Sequence, residues 1–247
     1  MSEIEQLIAN AAAGDMDAFE EIYRQTYRQV YFTCLAFLKN EQDAADVTQD
    51  VYIIVMRSIS ELKDRSRFEN WLGRITVNKC KDFLKAKRPV PMDEETITEL
   101  VQDEGELLLP EDYVTNEAKR RIVHEIMKEE LSDILYQTVI LFYFQNMSAT
   151  EIAELMECPV GTVTSRLCIA RTKIKQGVER YEKKSGDKLY SVTLVPVLAA
   201  ILMAESRVVR PAGTFSGTMA MASQNMTTRQ VAKTGGKVML KTLKGKI

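Results

Sequence analysis

The chain has 247 residues, of which 45% are hydrophobic and 28% are charged, and its formal net charge is −2. This composition supports folded cores in one or two domains and excludes a wholly disordered chain. One histidine excludes a histidine-rich zinc site, and four cysteines without a CxxC pair argue against a zinc ribbon or a disulfide framework. The acidic N-terminus does not resemble a signal peptide, so a reducing cytoplasm is the expected compartment.

The first block, residues 1–90, is predicted to be helical nearly throughout. Proline is absent from positions 2–88, and apolar residues at helical spacing predict a first helix that Gly14 closes. Asp15 is a candidate N-cap for the second helix, and Asn40 is expected to end it. Two further helices are predicted, over residues 41–60 and 68–87.

The third predicted helix carries a polar triple on one side. Asp46, Gln49 and Asp50 are spaced i, i+3, i+4 and therefore share one face. That face suits a protein partner, although an ordinary solvated surface is the alternative.

The fourth predicted helix has an apolar face and an opposite basic face. The basic face carries Arg74, Asn78, Lys81, Lys85 and Arg88. Such a face can contact phosphates and base edges, and the rings of Phe68 and Trp71 suit stacking on unpaired bases. A solvated basic face, with Trp71 filling the core, is the alternative.

The helical pattern weakens after this helix. Residues 93–117 contain ten acids and no Lys or Arg, and three prolines punctuate the stretch at Pro89, Pro91 and Pro110. We therefore predict an acidic linker over residues 91–116.

The segment 147–167 has the pattern of a helix-turn-helix. Ser148 and Glu151 predict a capping box, Glu157 and Cys158 a tight turn, and Pro159 the first turn of a second helix. Val163, Leu167 and Ile174 form a predicted inward stripe. Small polar and basic residues are expected on or near the outer surface: Thr162, Ser165, Arg166, Arg171, Lys173 and Lys175. Such a helix can enter the major groove of DNA, although a plain helical hairpin is the alternative.

The last block, residues 185–247, begins with an apolar run over 189–204. As a helix this run spans only ~24 Å, against ~30 Å of membrane hydrocarbon, so packing on the protein or a partner is favoured over membrane insertion. Residues 206–247 then carry eight Lys or Arg and no acid. This basic tail could contact anionic lipid, DNA or the acidic linker.

Three segments together resemble the motifs of bacterial RNA polymerase sigma factors, in the extracytoplasmic-function (ECF) group of the sigma-70 family. They are DVTQDVYIIV (46–55), RFENWLGRITVNKCKDFL (67–84) and MSATEIAELMECPVGTVTSRLCIARTKIK (147–175). The resemblance implies an all-α fold with two small helical domains, sigma region 2 in residues 1–90 and a helix-turn-helix sigma region 4 in residues 117–184. The acidic linker would join them, and residues 185–247 would be a C-terminal extension.

The resemblance also implies a function: binding core RNA polymerase and directing it to promoters. The polymerase-binding residues would be Asp46, Gln49, Asp50 and Val51. The residues that read and melt the −10 element, contacting duplex promoter DNA and the melted strand, would be Arg67, Phe68, Trp71, Arg74, Asn78 and Lys79. The residues that contact the −35 element would be Thr162, Thr164, Ser165, Arg166 and Arg171.

The sequence departs from the family in two places. Relatives commonly have a basic residue where Thr164 stands and a pair such as His-Arg where Cys168 and Ile169 stand, so fewer donors reach DNA and −35 binding is expected to be weak. Family members usually end near Lys184. We expect the extension to regulate the sigma factor in cis, replacing or anchoring to an anti-sigma factor, with weak membrane contact through residues 189–204 as the alternative role.

Other classes of protein fit less well. A phosphate-binding loop fails because Val231 and Val238 stand where Gly and Ser or Thr are needed. His124 is expected at the surface, and no nucleophile–base set can be assembled, so we predict no enzyme, cofactor or metal. A stand-alone helix-turn-helix regulator explains residues 147–175 but leaves the two earlier motifs without a purpose.

Overall fold

The computed structural model describes residues 2–87, 117–186, 189 and 195–208, and these residues form helices and no strand. The helices are α1 (Glu3–Ala12), α2 (Met16–Leu38), α3 (Glu41–Ser58), α4 (Phe68–Lys87), α5 (Glu117–Glu130), α6 (Asp133–Val139), α7 (Ala149–Met156), α8 (Val160–Ser185) and α9 (Val195–Val208). Short 3-10 turns cover Ile59–Glu61 and Arg65–Arg67, and a π-helical turn over Ile140–Phe144 continues α6. The all-α prediction is confirmed. The predicted linker over 91–116, Arg88 and the tail after residue 208 lie outside the described residues.

Helices α1 to α4 form the first half of the fold, with α2 in contact with each of the other three. Phe19, Ile22 and Tyr52 are almost completely buried at its centre. The Tyr52 hydroxyl lies 2.8 Å from the Thr26 hydroxyl, so this buried polar group has a partner. Asp15 caps α2 as predicted, because its carboxylate accepts two backbone N–H groups of the first turn.

The end of α2 differs from the prediction at Asn40. The helix ends at Leu38, and Lys39 takes a left-handed conformation with a φ of 56°. Asn40 begins α3 instead, since its side-chain oxygen accepts the backbone N–H of Asp43. Asparagine is favourable both after a helix and before one, so the sequence pattern alone did not separate the two roles.

Helices α5 to α8 form the second half, in which α7 and α8 make the helix-turn-helix. Ser148 and Glu151 form the predicted capping box at the start of α7. Glu157 makes the turn in a left-handed conformation with a φ of 55°, and Pro159 is the N-cap of α8, one position earlier than predicted. The predicted inward stripe is confirmed, because its three members are buried: Val163, Leu167 and Ile174.

The two halves pack against each other through a shared apolar contact. The rings of Phe32 on α2 and Phe144 in the π-helical turn lie 5.0 Å apart, edge to face. Gln145 follows that turn and joins the halves through the amide of Gln29, at 3.1 Å, and the hydroxyl of Thr33. Gly73 on α4 allows this approach, since a Cβ there would lie 2.7 Å from Met147 and 2.9 Å from Gln145.

Helix α9, from the C-terminal extension, packs on both halves. It contacts α5 and the π-helical turn in the second half and α2 in the first. Leu198, Ile201 and Leu202 are fully buried in this contact. Of the two alternatives for the apolar run, this position supports packing on the protein. Within the described residues, no helix combines the length and the hydropathy needed to cross a bilayer.

His124 is buried, so its predicted surface position is wrong. The residue is 5% exposed, on the face of α5 that meets Phe32, Tyr136 and α9. Its Nε2 lies 3.0 Å from the Tyr136 hydroxyl, while Nδ1 lies 3.6 Å from the Glu205 carboxylate, too far for a hydrogen bond. Burial lowers the pKa of His124 to about 4, with the charge of Lys128 acting in the same direction.

This burial predicts an acid-labile contribution to stability. The unfolded chain takes up a proton on His124 below pH ~6.5, whereas the folded chain resists it until about pH 4, so stability present above pH ~6.5 is lost as the pH falls through that window. His124→Gln removes the titration and keeps a polar partner for Tyr136. Between pH 7.5 and 5.0 the variant should lose about 2 kcal/mol less unfolding free energy than the wild type, measured by urea unfolding. Equal losses in the two proteins would contradict the assignment.

Candidate nucleic-acid interface

The polar face of α4 and the turn before it hold most of the predicted −10 residues. Arg67 and Asn78 are exposed, and Trp71 and Arg74 are partly exposed. Phe68 is the exception, because its ring is 2% exposed in the core of the first half, 5.9 Å from the ring of Trp71. Its predicted contact with DNA stays a prediction, and in this structure the ring packs beside Trp71.

Lys79 faces away from the other −10 residues and towards α3. Its Nζ lies 2.9 Å from the carboxylate of Asp50, one of the predicted polymerase-binding residues. The pair joins α3 to α4 at a partly exposed position. Lys79 thus positions the acidic face of α3, and its ammonium is not aligned with Arg74 and Asn78.

The predicted polymerase-binding face of α3 is accessible except at one position. Asp46 is exposed, and Gln49 and Asp50 are partly exposed. Val51 is fully buried and exposes no side chain on this face, so its predicted contact with polymerase stays a prediction. Its side chain packs in the core, because it lies across the helix from Asp46 and Gln49.

The outer face of α8 holds the predicted −35 residues. Thr164 is exposed, and Thr162 and Ser165 are partly exposed. Arg166 is 8% exposed and its guanidinium lies 3.6 Å from Sγ of Cys158 in the turn, so its predicted outward position is wrong. Arg171 lies over the ring of Tyr143 and donates to its hydroxyl at 2.7 Å.

The cationic face of α4 lies against the acidic face of α7. Three ion pairs join them: Arg67 with Glu151 at 3.2 Å, Arg74 with Glu154 at 2.6 Å, and Lys81 with Glu157. Arg67 lies in the turn just before α4 and Glu157 is the residue just after α7, and both are counted with these two faces below. Asn70 donates to Glu151 at 3.0 Å, and Lys81 also donates to the Leu155 carbonyl at 2.9 Å.

At the first and the last ion pair of this contact, neighbouring groups stabilise the ionised form of the carboxylate. The pKa of Glu151 is lowered, chiefly by the backbone N–H of Ser148. Burial, the next largest effect, acts in the opposite direction, and the Ser148 hydroxyl, Asn70 and Arg67 each lower the pKa further. The hydrogen bond from Lys81 lowers the pKa of Glu157, with the charges of Lys81 and Lys85 adding to it. Glu151 and Glu157 are therefore negative at neutral pH, as phosphates are.

Comparison with known proteins matches the same two halves to two families. Residues 22–90 match the Sigma-70 region 2 family, and residues 128–174 match the Sigma-70, region 4 family. The chain is 31% identical over 179 residues to the ECF RNA polymerase sigma-E factor of Haemophilus influenzae, covering 70% of this chain and 94% of that protein. It is 30% identical over 180 residues to the ECF RNA polymerase sigma factor SigW of Bacillus subtilis, covering 70% and 95%.

The chain belongs to the extracytoplasmic-function group of the sigma-70 family. A solved structure of CnrH in complex with the cytosolic domain of CnrY covers 71% of this sigma factor and 97% of that chain, at 21% identity and a TM-score of 0.46. As a sigma factor, the protein is a transcription initiation factor that binds core RNA polymerase and directs it to promoter DNA. A stand-alone helix-turn-helix regulator is not favoured, since region 2 is present.

The sequence pattern of this sigma factor did not reveal the acids of α7 as a surface. Glu151, Glu154 and Glu157 recur every third residue, a spacing that places them along one side of a helix. The cations that they meet are spaced by seven: Arg67, Arg74 and Lys81. The complementary spacing is a signal that sequence analysis could have used, but it does not say that the two helices meet.

Proposed function

We propose that three surfaces of this sigma factor divide the work of promoter recognition. The exposed side of α3, at Asp46, Gln49 and Asp50, docks on the clamp of core polymerase. The cationic side of α4 reads and helps to melt the −10 element. The outer side of α8 contacts the −35 element. The match of both sigma regions to this chain, in the expected order, carries the proposal.

The chemistry of α4 supports its proposed role at the −10 element. Arg67 and Arg74 offer guanidinium groups that suit phosphates, and Asn78 offers both a donor and an acceptor to a base edge. Trp71 lies among them with part of its ring accessible. Flipping a base out of a duplex costs a few kcal/mol, and stacking on an aromatic ring offsets part of that cost.

We place the −35 contact at Thr162, Thr164 and Ser165. Hydroxyl groups can donate to or accept from base edges and phosphates, but they supply no positive charge. The burial of Arg166 and the hydrogen bond of Arg171 to Tyr143 support leaving both residues out of this contact. The contact therefore has few cations, which agrees with the weak −35 binding expected from the sequence.

The location of the protein follows from this function, because sigma factors act on polymerase in the cytoplasm. A role of the extension at the membrane stays a prediction. The buried position of Leu198, Ile201 and Leu202 favours regulation in cis over lipid contact, since a helix cannot offer the same side chains to lipid while they are packed.

Charge reversal on α3 tests polymerase binding. Asp46→Arg should weaken binding to core polymerase about tenfold or more, because it reverses the charge at the centre of the proposed docking face. The matched control is Glu179→Arg, an exposed acid on α8. Binding is measured by fluorescence anisotropy of the labelled sigma factor with purified core enzyme. Equal affinities of the two variants would remove α3 from the interface.

Adding a cation to α8 tests the −35 contact. Thr164→Lys should strengthen binding of promoter duplex by the holoenzyme and steepen its dependence on log salt by about one unit, since one more phosphate contact forms. Gln176→Lys adds the same charge to an exposed position about 18 Å further along α8 and is expected to change little. If the two variants bind alike at every salt concentration, Thr164 does not face DNA.

A further inference from the structure

The three ion pairs between α4 and α7 occupy the surface assigned above to the −10 element. Arg67 and Arg74, two of the proposed DNA contacts, are both paired with carboxylates of the helix-turn-helix. We propose that this sigma factor folds into a closed form in which its own region 4 covers the −10-binding face of region 2, with the acids of α7 in place of DNA phosphates. The proposal rests on the proposed role of α4.

The contact between α4 and the helix-turn-helix includes buried neutral groups as well as ion pairs. Beside the ion pairs, Met147 is 1% exposed and lies against Gly73, the position on α4 where the helix has no side chain. Gln145 bonds to α2 through both ends of its amide. These buried groups require a defined orientation of the two halves, because each would lose its partner if α7 moved away from α4.

A second contact between the two halves lies at a distance from α4. Lys39, just after α2, pairs with Asp133 at the start of α6, and α9 packs on α2 as well as on α5. The C-terminal extension therefore adds buried apolar area that exists only while the two halves are together. This gives the extension a specific role, which is to shift the equilibrium towards the closed form.

The ion pairs are suited to exchange rather than to permanent closure. The side chains of Arg74 and Glu154 are 43% and 60% exposed, and Glu157 is 71% exposed, so water and salt weaken the attraction. DNA phosphates present the same charge to the same guanidinium groups. Because Glu154 and a DNA phosphate would compete for the same side of the Arg74 guanidinium, DNA binding at Arg74 opposes closure.

The test of the closed form compares Glu154→Gln/Glu157→Gln with Glu129→Gln/Glu179→Gln. Both double variants remove two negative charges from region 4, but only the first touches the contact, since Glu129 and Glu179 are exposed elsewhere. Glu151 is left in place because it caps α7. Closure is measured by carbodiimide cross-linking of Lys39 to Asp133, a pair that neither variant changes, with the yield read by mass spectrometry.

DNA binding is measured in parallel, with a labelled single-stranded oligonucleotide pool of random sequence and the full-length chain. The first variant should lose cross-link yield and bind the pool ~3- to 10-fold more tightly than the control variant, since an exposed ion pair changes an equilibrium constant by up to ~5-fold. Leu202→Asp, which unseats α9, should change both readouts in the same direction.

Two outcomes of the Glu154→Gln/Glu157→Gln experiment would overturn the proposal, and a third outcome, in Leu202→Asp, would overturn the role of α9. An unchanged cross-link yield in Glu154→Gln/Glu157→Gln would show that the ion pairs do not hold the closed form. A lower yield with unchanged DNA affinity would show that the halves separate but that α4 does not bind DNA, which overturns both the masking and the proposed role of α4. An unchanged yield in Leu202→Asp would remove α9 from the mechanism.

Discussion

The cationic face of α4 is the constraint on which the account depends. One side of the helix is committed to the core of region 2, so contacts with a partner outside region 2 must be made from the cationic side. That side carries few cations, and three of them, Arg67, Arg74 and Lys81, are already paired with the helix-turn-helix. Whatever binds there, protein or nucleic acid, competes for the same donors.

This competition links the architecture to the function. A surface that must release one partner to bind another cannot use buried ion pairs, because breaking such a pair leaves an uncompensated charge. The pairs between α4 and α7 are partly exposed, while the specificity of the contact comes from buried neutral groups such as Gln145, Met147 and Gly73. The polar and apolar parts of the interface thus have separate tasks, and α9 reinforces the apolar part.

Local features were predictable from the sequence because their causes lie within a few residues. The cap at Asp15, the capping box at Ser148 and Glu151, and the span of α4 all follow from side-chain chemistry at fixed spacing. The inward stripe of α8 follows from helical periodicity in the same way. The three sigma motifs fall on α3, on α4 and on the helix-turn-helix, where the proposed polymerase and DNA surfaces lie.

The errors concern side chains whose position depends on distant parts of the chain. His124 is buried because α2, α6 and α9 enclose it, and none of these contacts is visible from its neighbours in sequence. Arg166 turns inward towards Cys158 although its residue type favours the surface. The contact between α4 and α7 joins residues about 80 positions apart, and the π-helical turn that carries Phe144 to Phe32 has no sequence signature.

On the proposal above, α4 exchanges α7 for promoter DNA when the sigma factor becomes active. Carbodiimide coupling of Lys81 to Glu157 reports this contact directly in the wild-type chain. The account predicts an efficient cross-link in the sigma factor alone and its loss in a transcribing complex with core polymerase and promoter. An equal yield of the Lys81–Glu157 cross-link in the active complex would contradict it.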